Sequence, residues 1–247
     1  MSRTRLRSSL LAGLMASFLA IGLWQVGEGS WIYAKAGLAQ LLLQRAWTRA
    51  LAGESMPKPW PWADTWPVAR LHSQRLSVEM IVLSGAYGRT LAFGPGHVSS
   101  SALPGQGGTV ILTGHRDTHF RFLKDLRAHD QVDLAGTDGI VRKYRVTALQ
   151  IMDSRRDAIT TTHDQEELVL VTCFPFDAIR PGGPLRYVVR AERIADRHSA
   201  VAGPSKEGAG HSDLSRPPIR EVDADRVVLL VSGNGAAVDI TPATPEG

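Results

Sequence analysis

"LVLVTCFPF", residues 168–176, carries the only cysteine of the chain, Cys173, at the end of an apolar run. The run reads as a buried strand. A cysteine in such a strand is usually a small hydrophobe with no chemistry of its own. It becomes a nucleophile where a base or a cation favours its thiolate. Both readings of Cys173 stand open until its neighbours are known.

Two other stretches end or begin strands in the same way. "ILTGHRDTHF" closes an apolar strand at Gly114 and presents His115 just beyond it, and "LRYVV" opens a strand with Arg186 near its start. Three strand ends thus offer a thiol, an imidazole and a permanent cation. Acyl transfer needs a donor for the oxyanion that develops, and the fixed fork of arginine N–H groups suits that task. Spacing alone makes the grouping plausible and no more.

Further strand signals run from Ala69 to His72, Leu76 to Leu83, Thr109 to Thr113, Gln131 to Leu134, Lys143 to Met152, Glu167 to Cys173 and Leu185 to Arg193. Glycine and polar turns separate them, which predicts a barrel or sandwich. Only "HFRFLKDLRAHD", from His119, reads as a helix within this region. From Ala34 to Leu51 apolar residues recur at helical spacing. "MPKPWPWADTWP" follows, too dense in proline for helix or central strand. Trp60, Trp62 and Trp66 in it predict burial against the domain. "RVVLLVSGNG" offers a last strand after a polar Gly/Ser/Pro stretch that reads as a linker.

Hydrophobic residues make up 43% and charged residues 21% of the 247, a globular balance. The net charge of +4 comes from scattered arginines, with no basic stripe interleaved with aromatics, so no nucleic-acid partner is expected. One cysteine excludes an internal disulfide. Arg3, Arg5 and Arg7 precede an uncharged apolar run from Leu10 to Val26, with Trp31 and Tyr33 beyond it. This pattern predicts an uncleaved membrane anchor whose basic end stays cytoplasmic. The expected order is a cytoplasmic tail (1–9), an anchor (10–27), a juxtamembrane helix (28–56), a Pro/Trp-rich segment (57–67), a catalytic barrel (68–195) and a polar linker with C-terminal extension (196–247).

"GHRDTHF", "LVTC" and "GGPLRYVV" resemble the three signature segments of sortases, the cysteine transpeptidases of bacterial surfaces, and they occur in the family's order. "KPWPWADTWPVARL" and "WIYAKAGLAQLLLQRAW" resemble the Gram-negative group of these enzymes, class GN. The family's usual Thr-Leu-x-Thr-Cys reads Val169-Leu170-Val171-Thr172-Cys173 here, with valine in the leading place. The resemblance implies a mainly β, eight-stranded sortase-like barrel with short helices, on the periplasmic side of the inner membrane. It implies cleavage of a C-terminal, LPxTG-like sorting motif of a secreted protein through a thioacyl intermediate, and transfer to an amine. By position Cys173 would be the nucleophile, His115 the acid and base, and Arg186 the oxyanion or backbone donor. No cofactor is implied; some sortases bind calcium, and Glu166 and Glu167 do not decide that point. A thiol hydrolase with the same three residues, or an anchored binding barrel with an inert cysteine, are the rival readings.

The neighbours of these residues have bland readings too. His119 lies at zinc-ligand spacing from His115, but a zinc helix of the HExxH type needs glutamate where Arg116 stands. No metal is expected, and His119 reads as a helix-start residue packed near the site. Asp117 could orient His115 or cap a helix. Thr172 could offer its hydroxyl to substrate or simply pack. Phe174 could wall a substrate groove or cover the barrel end. The histidines at 72, 97, 129, 163, 198 and 211 read as surface or turn residues.

Overall fold

The computed structural model describes residues 3–162, 165–180, 182–195, 228–231 and 238–240, without the side chains of residues 3–12, Ile32, 228–231 and 238–240. In chain order the strands are β1 (Pro67–Ser73), β2 (Val78–Ser84), β3 (Gly96–His97), β4 (Thr109–Thr113), β5 (Gln131–Gly136), β6 (Val141–Asp153), β7 (Ile159–Thr160), β8 (Glu167–Cys173), β9 (Leu185–Arg193), β10 (Val228–Val231) and β11 (Val238–Ile240). Eight of them close into a barrel in the order β1-β2-β3-β4-β8-β9-β6-β5. A separate sheet pairs β7 with β10 and β10 with β11. The stretch 196–227, expected to be a linker, and His163, His198 and His211 lie outside the described residues.

The apolar run of β8, Leu168 to Val171, shows no alternation because both of its faces are covered. Leu168 and Leu170 join the barrel interior with Leu112, Tyr144 and Val189. Val169 and Val171 face the other way, covered by Val98, Ile111, Ile159 and Val188. A strand buried on both faces shows no alternation. β8 runs parallel to β4, Thr113 opposite Val171, and antiparallel to β9, Val171 opposite Val188. Because side chains alternate across a strand, Ile111, Val171 and Val188 share the outer face. Continuing the alternation puts His115, Cys173 and Arg186 on that same face.

β3, the eighth barrel strand, has only two residues and bridges β2 and β4. So short a run carries no period to read. His97 within it is buried, its Nε2 within 2.9 Å of the Ala102 carbonyl and 3.2 Å of Ser101 Oγ, which corrects its reading as a surface residue. The expected helix after His119 is a five-residue 3-10 turn, Arg121–Asp125. Phe120, Leu123 and Leu126 are buried at intervals of three, which a 3-10 turn aligns on one edge.

Helix α1 runs without interruption from Arg3 to Leu51. Leu43, Ala46, Trp47 and Ala50, at i, i+3, i+4 and i+7, seal it against Ile81 and Leu83 of β2. Burying a side chain of leucine size contributes about 1.5–3 kcal/mol. Trp47 also lies under Arg70, at 5.4 Å. Gly53, at φ +90°, ends the helix with its N–H on the Ala50 carbonyl, so the helix stops short of residue 56. In the proline-tryptophan segment Trp60 and Trp66 are half-buried, Trp60 edge-on to Phe93 at 4.8 Å. Trp62 is 82% exposed, against the expectation that all three tryptophans are covered. Among the described residues no helix is long and apolar enough to cross a membrane.

Candidate active site

The site lies where β4, β8 and β9 end at one rim of the barrel. Cys173 is the last residue of β8, half-exposed, and its partner across the ladder is Arg186. Directly opposed residues of antiparallel strands hold their Cβ atoms about 4.5–5.5 Å apart on one face. Arg186 is 5% exposed. Its Nη1 donates to the carbonyls of Gly183, at 2.7 Å, and Leu185, at 2.9 Å. Nε and Nη2 donate to nothing among the described residues, so two faces of the fork stay open. Arg190 is spent elsewhere: it stands opposite Val169 and grips both oxygens of Glu167, at 2.7 and 2.9 Å.

His115 is exposed, two residues past β4. The ladder continues through the Gly114 N–H, which donates to the Val171 carbonyl at 3.3 Å. That register brings His115 level with Cys173. Glycine is needed at 114, since a Cβ there would meet the Phe120 ring at 2.9 Å. The His115 carbonyl accepts from the N–H of Phe120 at 3.0 Å, which closes the turn. On the far side of β9, Met152 of β6 stands opposite Arg186. His115, Cys173, Arg186 and Met152 thus form one row across four strands.

Thr172 points inward, 2% exposed, and donates its hydroxyl to the Gly114 carbonyl at 2.7 Å. It anchors the residue before the histidine. Phe174 stacks on Tyr187 at 6.3 Å, with Phe176 edge-on to the same ring at 5.2 Å. Phe176 and Tyr187 pack on the barrel interior, so this aromatic trio covers the barrel end. Burial pushes the Tyr187 hydroxyl up from its usual value. The Asp117 carboxylate accepts from Arg116 Nε at 3.3 Å, and makes no hydrogen bond with His115 among the described residues.

His119 faces a cavity of about 350 Å³ between α1 and the barrel, together with Gln40, Gln44, Phe93 and Thr118. Burial, the nearby His115 charge and, against them, the Leu91 carbonyl leave its imidazole below the usual histidine value. A larger cavity, of about 490 Å³, opens at the other end of the barrel beside Glu166, Glu167 and Arg193. It begins β8 where Cys173 ends it, roughly 20 Å away along the strand. Arg193 holds Glu166 and Arg190 holds Glu167. Among the described residues no three His, Cys, Asp or Glu stand together as a metal site.

Two residues of the rim escaped the sequence reading. Arg116 is 6% exposed, and its Nη2 donates to the carbonyls of Ala178, at 2.8 Å, and Arg180, at 3.3 Å. Its Nη1 is buried with no partner among the described residues, a state that costs about 1–3 kcal/mol. Met152 is the other. Adjacency to His115 was the one hint for Arg116; nothing local marks Met152.

The sortase domain profile matches residues 71–194, half of the 247-residue chain. The chain belongs to the sortase family. This sortase is 33% identical over 125 residues to sortase D of Bacillus subtilis (strain 168), covering 50% of this chain and 62% of the relative. It thus spans about three fifths of that relative's length. Its fold is that of a Clostridium perfringens sortase D5 transpeptidase, with a TM-score of 0.51, 18% identity, and coverage of 64% of this chain and 99% of the other. Sortase A from Corynebacterium diphtheriae aligns with a TM-score of 0.47 and 27% identity, over 54% of this chain and 63% of the other.

Proposed function

We propose that this sortase is a cysteine transpeptidase that cleaves an LPxTG-like sorting motif in a secreted protein and transfers the acyl part to an amine. The observation that carries the reading is the row itself: Cys173 opposite Arg186, whose Nε and Nη2 have no partner among the described residues, with His115 level with the thiol on the same face.

The Cys173 thiolate attacks the scissile carbonyl, and Arg186 donates to the oxyanion. The C–N bond breaks as His115 gives a proton to the departing amine, leaving a thioester. An incoming amine attacks the thioester, His115 takes its proton, and the C–S bond breaks to restore the thiolate. Met152 and the apolar residues below the row would floor the peptide groove.

The test is product analysis with a peptide bearing an LPxTG-like motif, with and without an added primary amine. Wild type forms an amine adduct and a trappable thioester on Cys173; Cys173→Ala forms neither. Cleavage that persists in purified Cys173→Ala ends the reading. Cleavage without any amine adduct makes the protein a thiol hydrolase instead.

The same reading places the enzyme at a membrane. The uncharged run from Leu10 to Val26 follows three arginines, and Leu14, Phe18, Leu19, Leu23 and Trp24 of α1 are exposed with no protein to cover them. An inner-membrane anchor whose apolar run falls short of a full span, with the barrel in the periplasm, accounts for both. Release of the full-length chain by carbonate washing would refute it. The class GN reading rests on the proline-tryptophan segment, in which Trp60 lies edge-on to Phe93 beside the α1 seam and Trp66 packs on the barrel interior.

A further inference from the structure

Arg116 joins the two halves of the site. Its backbone follows His115 directly, and its side chain crosses to the loop that connects Cys173 with Arg186. Among the described residues side chains hold that loop at four places, one of them the Gly183 carbonyl on Arg186 Nη1. Phe174 and Phe176 fix its start on Tyr187, and Ser154 fixes its end by donating both its N–H, at 2.9 Å, and its hydroxyl, at 2.8 Å, to the Pro184 carbonyl. In the middle, Ile179 is 99% exposed, and Asp177 and Arg180 are exposed beside it. No apolar burial therefore holds this part. Besides one local backbone bond, from the Ala178 N–H to the Pro175 carbonyl at 3.4 Å, what holds it is Arg116 Nη2, bonded to the carbonyls on either side of Ile179.

We propose that Arg116 is a positioning residue, a strap that fixes His115 relative to Cys173 and Arg186 by tying the histidine's loop to the loop between the other two. The inference rests on the catalytic reading above. Nη2 of Arg116 serves two carbonyls of that loop and Nε the Asp117 carboxylate, while Nη1 is buried with no partner among the described residues. One nitrogen of the guanidinium bridges both carbonyls, and the neighbouring Nε is held by Asp117.

The experiment compares Arg116→Gln and Arg116→Lys with His115→Ala and with Arg75→Gln. Arg75 is a distant arginine that likewise binds a carboxylate, Asp130, and a carbonyl, Asp125. Each full-length protein is assayed for peptide transfer, and for iodoacetamide alkylation of Cys173 as a function of pH. Misplacement of reacting groups by about 1 Å can cost 10²-fold. The expected result for Arg116→Gln is a kcat about 10–100-fold lower at nearly unchanged KM, with the alkylation profile moved toward that of His115→Ala. Arg116→Lys, which keeps the stem and the charge and guards against a folding defect, recovers part of both. Arg75→Gln lowers the melting temperature and leaves the profile in place. Wild-type kcat and profile in both Arg116 variants overturn the proposal, and so does a rise in KM alone. A His115→Ala profile equal to wild type refutes the catalytic reading itself, whereas a moved His115→Ala with unmoved Arg116 variants refutes only the strap.

Discussion

Replacing Thr172 by valine separates two uses of one hydroxyl. Valine matches threonine in shape, so the change opens no cavity at a residue 2% exposed. It removes only the 2.7 Å bond to the Gly114 carbonyl, and it leaves that acceptor unsatisfied beside the barrel interior. A buried polar group so stranded costs about 1–3 kcal/mol. For a barrel of this size, where 1 kcal/mol moves Tm by roughly 4 °C, thermal unfolding should fall by about 4–12 °C. Activity should fall as well, because Gly114 carries His115; the loss should appear in kcat. Thr172→Ser keeps the donor and should recover most of both. The assay is a melting curve beside transfer kinetics on the same preparations. A Thr172→Val protein that melts within 1 °C of wild type and changes only KM would refute the anchoring role and return the hydroxyl to the substrate.

His115→Ala should lose about 10²–10⁴-fold in turnover, the usual worth of general acid–base help, while His119→Ala, on the α1 side of the loop, keeps most activity; the reverse order in transfer assays refutes the assignment. Arg186→Lys should lose roughly 10²–10³-fold, because lysine keeps the charge but cannot hold the Gly183 and Leu185 carbonyls and still offer two donors to an oxyanion, whereas Arg190→Lys, whose partner is Glu167, should be mild; near-normal turnover in Arg186→Lys shows that charge alone suffices. Burial holds His97 and His119 below the usual histidine value, so the unfolded chain takes up protons first as pH falls through about 6.5. Stability is therefore full above that pH and declines as the pH drops toward the folded values; melting temperatures that stay level or rise between pH 7 and pH 5 contradict this.

The strands beside the site were legible because their signals are local. Thr109–Thr113, Glu167–Cys173 and Leu185–Arg193 stand in the structure with the bounds their apolar runs predict. The thiol needed no structure at all, since the chain holds one cysteine. β3 escaped because two residues have no period, and the 3-10 turn read as a helix because three apolar positions at intervals of three mimic a helical face over so short a span. Trp62 was expected in the core on composition alone, and composition does not say which way a ring points.

Register was beyond the sequence. Which arginine faces the thiol depends on how β8 and β9 align across residues 174–184: a shift of one residue would turn Arg186 to the opposite face. The barrel aligns Val171 with Val188 and Cys173 with Arg186, with Leu168 and Leu170 buried on one side of β8 and Val169 and Val171 on the other. The same closure lays β4 parallel to β8 and so lifts His115, rather than His119, to the level of Cys173. The tie from Thr172 to Gly114 and the span from Arg116 to Ala178 and Arg180 join residues some sixty positions apart. The sequence by itself determined the chemical groups and the strands that bear them, because propensity and period act over a few neighbours. Tertiary structure alone decided which of those groups meet, because pairing across a closed sheet is set by the burial of all its strands at once.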